Sequence, residues 1–385
     1  MKRKVLFIIL SLLSFLHSCD RSAEPVRGVW VPAPRFTSVL HTHENLLAFV
    51  KTVEEVGLNS IFLVAYADNK TIYKSKVLLE NSSYESLDAT WMLSDWSDVY
   101  TSPSGDPVRD LIDEAHSRGI KVFFWYEYGF MGKGRPISSD DPILSRNPHW
   151  AGVNNEGAQT NYNGSDYYFN SYLPEVQDYI VGLIKEGLEL YPDIDGVQGD
   201  DRLPAAPRNS GYDSYTIERY RSEHNGKCPP ADYNEEEWVE WRLCILNDFA
   251  ERLYSEVKSV APGALVSFAP NPYPWCEEKL MQDWPEWCRS GICDLLAVQC
   301  YRYSEESYRS TLETVIDYFQ EANPRQQFVP GIILMEGSTA KMTPELLEKQ
   351  ININREHGVC GEIFFYNEAL NNPSIRETLK KLYKR

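Results

Sequence analysis

Eight short apolar runs recur along this chain, and each leads into a segment with helical periodicity. No other feature limits the fold so strongly. The predicted strands are Gly28–Val31, Ile61–Val64, Lys121–Glu127, Gly196–Asp200, Leu265–Ala269, Leu295–Gln299, Phe328–Leu334 and Glu362–Tyr366. The helical segments are Glu44–Val56, Val108–Ser117, Pro174–Leu190, Glu235–Val260, Glu277–Ser290, Ser307–Phe319, Thr343–His357 and Pro373–Tyr383. Runs that are apolar throughout suit parallel strands covered on both faces, which require helical crossovers. Eight such units predict an α/β fold, a (β/α)8 barrel with loop insertions. The competing architecture is an open doubly wound sheet, which usually carries a glycine-rich phosphate loop after its first strand. Here the first strand runs into Pro32-Ala33-Pro34-Arg35, which cannot cradle a phosphate.

The rest of the chain fits around that frame. Residues 67–105, 131–170 and 202–232 are polar and turn-rich and read as insertions or loops. Residues 1–18 read as a signal peptide, with basic Lys2, Arg3 and Lys4 before an apolar run from Val5 to Leu16. That run is short for a membrane span of roughly 20 residues. It ends at Leu16-His17-Ser18-Cys19, which resembles a bacterial lipoprotein signal with Cys19 as the lipidation site. Residues 19–26 then form a tether and 27–385 the barrel, on a protein held to the cell envelope through a lipid anchor.

The formal net charge is −18, and removing Lys2, Arg3 and Lys4 makes the mature chain more acidic still. Such a charge argues against a nucleic-acid partner. A glycan, recognised by stacking and hydrogen bonds, is compatible with it. Aromatic residues make up 13% of the chain, with 24 Tyr and 10 Trp. Most belong to the core, but Trp and Tyr also pair an apolar face with a polar handle. Of eight cysteines, Cys276, Cys288, Cys293 and Cys300 cluster without zinc-ligand spacing and read as buried thiols. No motif points to a metal or cofactor. There is no Gly-x-Ser-x-Gly elbow, and neither His116 nor His149 follows a strand.

Polar and aromatic residues gather where the predicted strands end. The fourth strand ends in Asp200-Asp201, the third in Trp125-Tyr126-Glu127-Tyr128, the sixth in Gln299-Cys300-Tyr301-Arg302 and the eighth in Tyr366-Asn367-Glu368. The fifth runs into Asn271-Pro272-Tyr273. In a (β/α)8 barrel these ends form the mouth where chemistry occurs. Carboxylates with stacking aromatics suit glycoside hydrolysis, which needs one protonated and one ionised carboxyl. Strand alternation turns Gln198 and Asp200 toward the barrel axis and leaves Asp201 at the turn. Asp200 is assigned as the ionised carboxylate, and Glu127, then Asp201, as proton donor. Asn271, Gln299 and Tyr301 are expected to orient sugar hydroxyl or acetamido groups. Trp30 and Trp125 are expected to shape the floor, and Tyr273 and Glu368 to contact substrate. Structural alternatives remain open at this point: Glu127 pairing with Arg27 or Arg302, and Glu368 capping the final helix.

Several of these segments together resemble the glycosyl-hydrolase-like family 10 proteins, bacterial exported proteins related to amylase-like and hexosaminidase-like barrels. They are Arg27-Gly28-Val29-Trp30, Trp125-Tyr126-Glu127-Tyr128-Gly129-Phe130-Met131 and Asp195-Gly196-Val197-Gln198-Gly199-Asp200-Asp201. Ser267–Pro274, Gln282-Asp283-Trp284-Pro285, Val298-Gln299-Cys300-Tyr301-Arg302 and Phe364–Leu370 extend the resemblance over nearly the whole mature chain. The resemblance implies a TIM barrel and glycosidase activity. Some members resemble peptidoglycan hydrolases that cut glycan strands already stripped of peptides. Gly199 stands where the family usually carries Phe, and is expected to widen or loosen the pocket. That departure sets a non-catalytic glycan-binding lipoprotein beside the enzyme as an alternative. Hydrolysis of dietary or host glycans is the other.

Overall fold

A computed structural model describes residues 24–133, 141–162, 166–322 and 327–384. The predicted signal segment, Cys19 and most of the tether lie outside the described residues. The barrel strands are β1 (Arg27–Val31), β2 (Ser60–Val64), β3 (Lys121–Tyr126), β4 (Gly196–Gly199), β5 (Leu265–Phe268), β6 (Leu295–Leu296), β7 and β8 (Glu362–Phe365). Each pairs in parallel with the next, and β1 pairs with β8. β7 comes in two pieces. Gln327–Phe328 pairs with β6 and Gly331–Ile333 with β8. Pro330 sits between them and has no N–H to give to the ladder. The Gly331 amide donates to the Val298 carbonyl at 2.7 Å, so the break is bridged and the barrel closes.

Large rings fill the barrel interior because glycines face them. A Cβ on Gly28 would lie 2.6 Å from the Phe62 ring, and one on Gly196 would lie 2.7 Å from Phe123. Phe62 and Phe123 stack with centroids 4.6 Å apart, and Trp30 lies 6.1 Å from Phe62 and 6.2 Å from Trp125. A Cβ on Gly331 would touch the Trp30 ring at 3.0 Å. Gln198 is the polar member of this interior. It accepts from the Trp30 indole N–H at 2.7 Å and donates to Ser267 Oγ at 2.9 Å, so a buried amide finds its partners.

The helices around the barrel are α1 (His43–Glu55), α2 (Pro107–Ser117), α3 (Pro174–Leu190), α4 (Glu236–Val260), α5 (Trp284–Arg289), α6 (Glu305–Glu321), α7 (Pro344–Glu356) and α8 (Pro373–Tyr383). Thr42, Asp106, Asp283, Ser304, Thr343 and Asn372 cap six of them with side-chain oxygens. Gly57 follows α1 at φ 79°, the left-handed conformation a helix stop favours.

Two expectations change. The predicted helix Glu277–Ser290 is broken into Trp275–Leu280 and Trp284–Arg289, with Met281 at φ 56° between them. The predicted loop 202–232 carries a helix over Ser214–Glu223, capped by Asp213. This excursion pairs with the one after β3 through Asn154 and Ser210, so the two long connections form one wall of the mouth.

Candidate active site

The turn after β4 delivers Asp200, Asp201 and Arg202 to the C-terminal rim, and both carboxylates are buried. One guanidinium nitrogen organises the cluster. Arg202 Nη1 donates to Asp200 Oδ2 at 3.2 Å and to the Glu127 carbonyl oxygen at 3.1 Å, and stands 3.4 Å from Asp201 Oδ1. Amides complete the frame: Gln299 Nε2 donates to Asp200 Oδ1 at 2.6 Å, and Asn271 Nδ2 to Asp201 Oδ2 at 3.1 Å. Gln282, wholly buried, donates to the carbonyl oxygens of Asp200 and Pro204 at 3.2 and 3.1 Å. The break between the two short helices is what turns Gln282 inward.

The turn packs backbone against backbone. A Cβ on Gly129 would lie 2.5 Å from Leu203 Cβ and 2.6 Å from the Arg202 carbonyl oxygen. Gly129 also holds φ 50°, so glycine is required twice over there. A Cβ on Gly199 would lie 2.3 Å from the Leu203 carbonyl oxygen. The space that Gly199 leaves is therefore filled by the turn itself. This corrects the expectation that Gly199 widens or loosens the pocket. It also removes the feature that favoured a degenerate site.

Burial pushes the Glu127 carboxyl up to about 7, with Arg202 opposing the shift. Its Oε2 is buried without a hydrogen-bond partner. Burial, then the adjacent Asp201, push the Asp200 carboxyl up as well, and Arg202 pulls it down. Yet both Asp200 oxygens accept from donors, Gln299 and Arg202, and such bonds favour the ionised form. Burial opposes the charge on Arg202, but Asp201, Asp200 and Glu127 together hold it cationic. The Glu127 and Asp200 carboxyls are both pushed up by burial and both pulled down by Arg202, and the charge of Glu127 raises Asp200 further.

Not every expected residue joins this cluster. Trp30 and Trp125 are buried beneath it as a floor, packed on each other and on Phe365. Tyr301 lies half-buried above Trp30 and Phe365, and the Asp200 charge adds to its burial in raising its hydroxyl pKa. Gln299 and Asn271 direct their amides at the carboxylates, so they position Asp200 and Asp201. Tyr273 turns outward, packing on Trp284 and Tyr318, with its hydroxyl donating to Glu277 at 3.2 Å. Glu368 accepts from Thr37 Oγ1 at 2.6 Å and from Asn371 at 2.8 Å. It does not cap α8, a role Asn372 takes. Glu127 pairs with neither Arg27 nor Arg302, because Arg27 bonds Glu24 and Gly57, and Arg302 bonds the Tyr301 carbonyl. Sequence reasoning passed over Arg202 and Gln282. A cation directly after an acidic pair was the available signal for the first. Gln282 lay inside a quoted motif but was read as part of a helix.

The site can be set beside known proteins. The chain is 23% identical to the glycosyl hydrolase DigH of Escherichia coli (strain K12), over 95% of this chain and 88% of that one. It is 20% identical to the glycosyl hydrolase YngK of Bacillus subtilis (strain 168), over 73% of this chain and 55% of the other. Among solved structures, the PgaB (BpsB) glycoside hydrolase domain from Bordetella bronchiseptica superposes with a TM-score of 0.63 at 14% identity. That match covers 94% of this chain and 99% of the domain. An endo-1,4-β-D-mannanase from Thermotoga petrophila RKU-1 gives a TM-score of 0.52 at 12% identity, again over 94% and 99%. The family model described as glycosyl hydrolase-like 10 matches residues 25–347. With that match spanning most of the barrel, the chain belongs to the glycosyl hydrolase-like 10 family of TIM-barrel glycoside hydrolases.

Proposed function

We propose that this protein hydrolyses glycosidic bonds in amino-sugar glycan strands, with peptide-free peptidoglycan strands as its substrate. The observation that carries the reading is the cluster of Glu127, Asp200 and Asp201 around Arg202, in which one carboxyl is pushed up to about 7. Glu127 is the proton holder. It gives its proton to the leaving glycosidic oxygen as the bond to the anomeric carbon breaks. Asp200, held by two donors, is the ionised carboxylate that attacks or stabilises the oxocarbenium-like carbon. Asp201 lies beside the same guanidinium as Asp200, and its charge raises the Asp200 and Glu127 carboxyls. Water completes the hydrolysis at the anomeric carbon, and its proton returns to a carboxylate.

The test uses purified protein and peptide-free glycan strands. New reducing ends and shortened strands by mass spectrometry are expected from the wild type. Asp200→Asn is expected to lower turnover about a thousandfold or more with the fold kept. Near-wild-type turnover by Asp200→Asn would remove it from the mechanism, and a wild type that releases no ends would overturn the reading. The same proposal places the enzyme in the cell envelope with its anchor at Cys19. Labelling of cells with a radioactive fatty acid should mark the wild type and leave Cys19→Ala unmarked.

A further inference from the structure

Four aromatic side chains are exposed among the described residues, and their placement is one-sided. Phe36 follows β1, Tyr215 lies in the excursion after β4, Trp275 follows β5 and Tyr303 follows β6. All four sit in connections that leave the C-terminal ends of strands. Among the described residues, none lies in the turns that lead from helices back into the barrel.

Two of the four lie within a few residues of side chains at the mouth. Trp275 is four residues past Asn271, which holds Asp201, so the two Cα atoms are at most about 14 Å apart. Tyr303 is two residues past Tyr301, at most about 7 Å away. Trp275 is 44% exposed and Tyr303 52% exposed. Phe36 is less available, because the Arg35 guanidinium lies over its ring at 4.2 Å. Leaving an indole in water is unfavourable unless something covers it, and a sugar ring offers an apolar face with hydroxyls at its edge.

We propose that Trp275 and Tyr303 are stacking platforms for sugar units beyond the one cleaved, so that the enzyme selects a glycan chain over a short fragment. The proposal rests on the glycan-hydrolase reading above and names the residues that read chain length. Trp275 carries the larger share, being the larger ring, while Lys341 lies beside one face of Tyr303.

Calorimetric binding in an Asp200→Asn background tests this without turnover. The probes are peptide-free glycan strands and their repeating disaccharide. Trp275→Ala should weaken strand binding about tenfold and leave the disaccharide unchanged, and Trp275→Phe should restore most of the loss. Tyr303→Ala should act in the same direction, about threefold. Unchanged strand binding by Trp275→Ala, or equal weakening toward strand and disaccharide, would overturn the proposal. A wild type that binds strands through Trp275 yet cleaves nothing would instead sink the catalytic reading alone.

Discussion

At the scale of single residues, the site is a contest over protons. Glu127 has an ordinary solution value of 4.5 and is pushed up to about 7 in the fold. The folded state therefore binds a proton that the unfolded chain releases between those values. Stability linked to this group is fully present below about pH 4.5 and is lost as pH rises through about 7. Glu127→Gln, which cannot ionise, should be more stable than the wild type at pH 8, by about 1–3 kcal/mol, and similar to it at pH 4.5. Denaturant midpoints at the two pH values measure this. The same variant should lose roughly 100- to 10,000-fold in kcat, the usual worth of a general acid. In the wild type, kcat/KM should fall on the alkaline side with a midpoint near pH 7. Arg202→Gln removes the one cation that all three carboxyls face. Glu127 and Asp200, which Arg202 pulls down, then hold their protons to higher pH. The whole pH profile of kcat/KM should move upward as its height falls. A profile that keeps its position would mean Arg202 does not set these protonations.

Among the elements, the β4 turn is the unit that carries function, and glycines on both sides make room for it. Gly199→Ala would force a Cβ within 2.3 Å of the Leu203 carbonyl oxygen, which is backbone and cannot swing aside. The turn bearing Asp200, Asp201 and Arg202 must shift instead. Stability should drop by about 1–3 kcal/mol, as for overpacking elsewhere. The activity of the fraction still folded should fall further, because the carboxylates move with the turn. Full activity per folded molecule would show that the turn's position is not critical. The sequence made this element half legible. Period and flanking turns placed the eight strands, while the fourth strand itself ends at Gly199, so Asp200 belongs to the turn. Gly199 was read by its missing side chain, whereas its meaning lies in what folds into the space, a contact four residues downstream. Gln282 was illegible for a related reason. The helical period runs through residues 277–290, but Met281 is left-handed, 281–283 leave the helix, and Pro285 stands at the start of the next one. Propensity alone does not anticipate a Met at φ 56°.

Across the whole molecule, the barrel divides its work between its ends. The mouth holds the strained charges, and the opposite end holds the closure of the ring. Glu362 opens β8 there, fully buried, and accepts from the Tyr383 hydroxyl of α8 and from Asn354 Nδ2 of α7 at 3.2 Å. Asn354 in turn accepts from Tyr308 of α6 at 2.7 Å. Tyr383 also packs where Gly57 ends α1, since a Cβ on Gly57 would meet Tyr383 Cβ at 2.7 Å. One carboxylate thus ties the last three helices to the eighth strand, and Tyr383 joins the last helix to the first. Burial pushes the Glu362 carboxyl up, while Tyr383 and Asn354 pull it down by bonding its ionised form. Tyr383→Phe removes one of those donors and raises the carboxyl further. The loss of stability should therefore be small at about pH 3, well below the ordinary value of 4.5, where Glu362 is protonated in the folded and the unfolded chain. It should reach about 1–3 kcal/mol at pH 8, where the buried carboxylate has lost a partner. Catalysis belongs to the far end of the barrel, so kcat of the folded variant should match the wild type. Urea midpoints at both pH values, read beside kcat, decide the matter. A loss independent of pH would mean that Tyr383 acts by packing alone, and a fall in kcat would mean that the two ends are coupled through the strands.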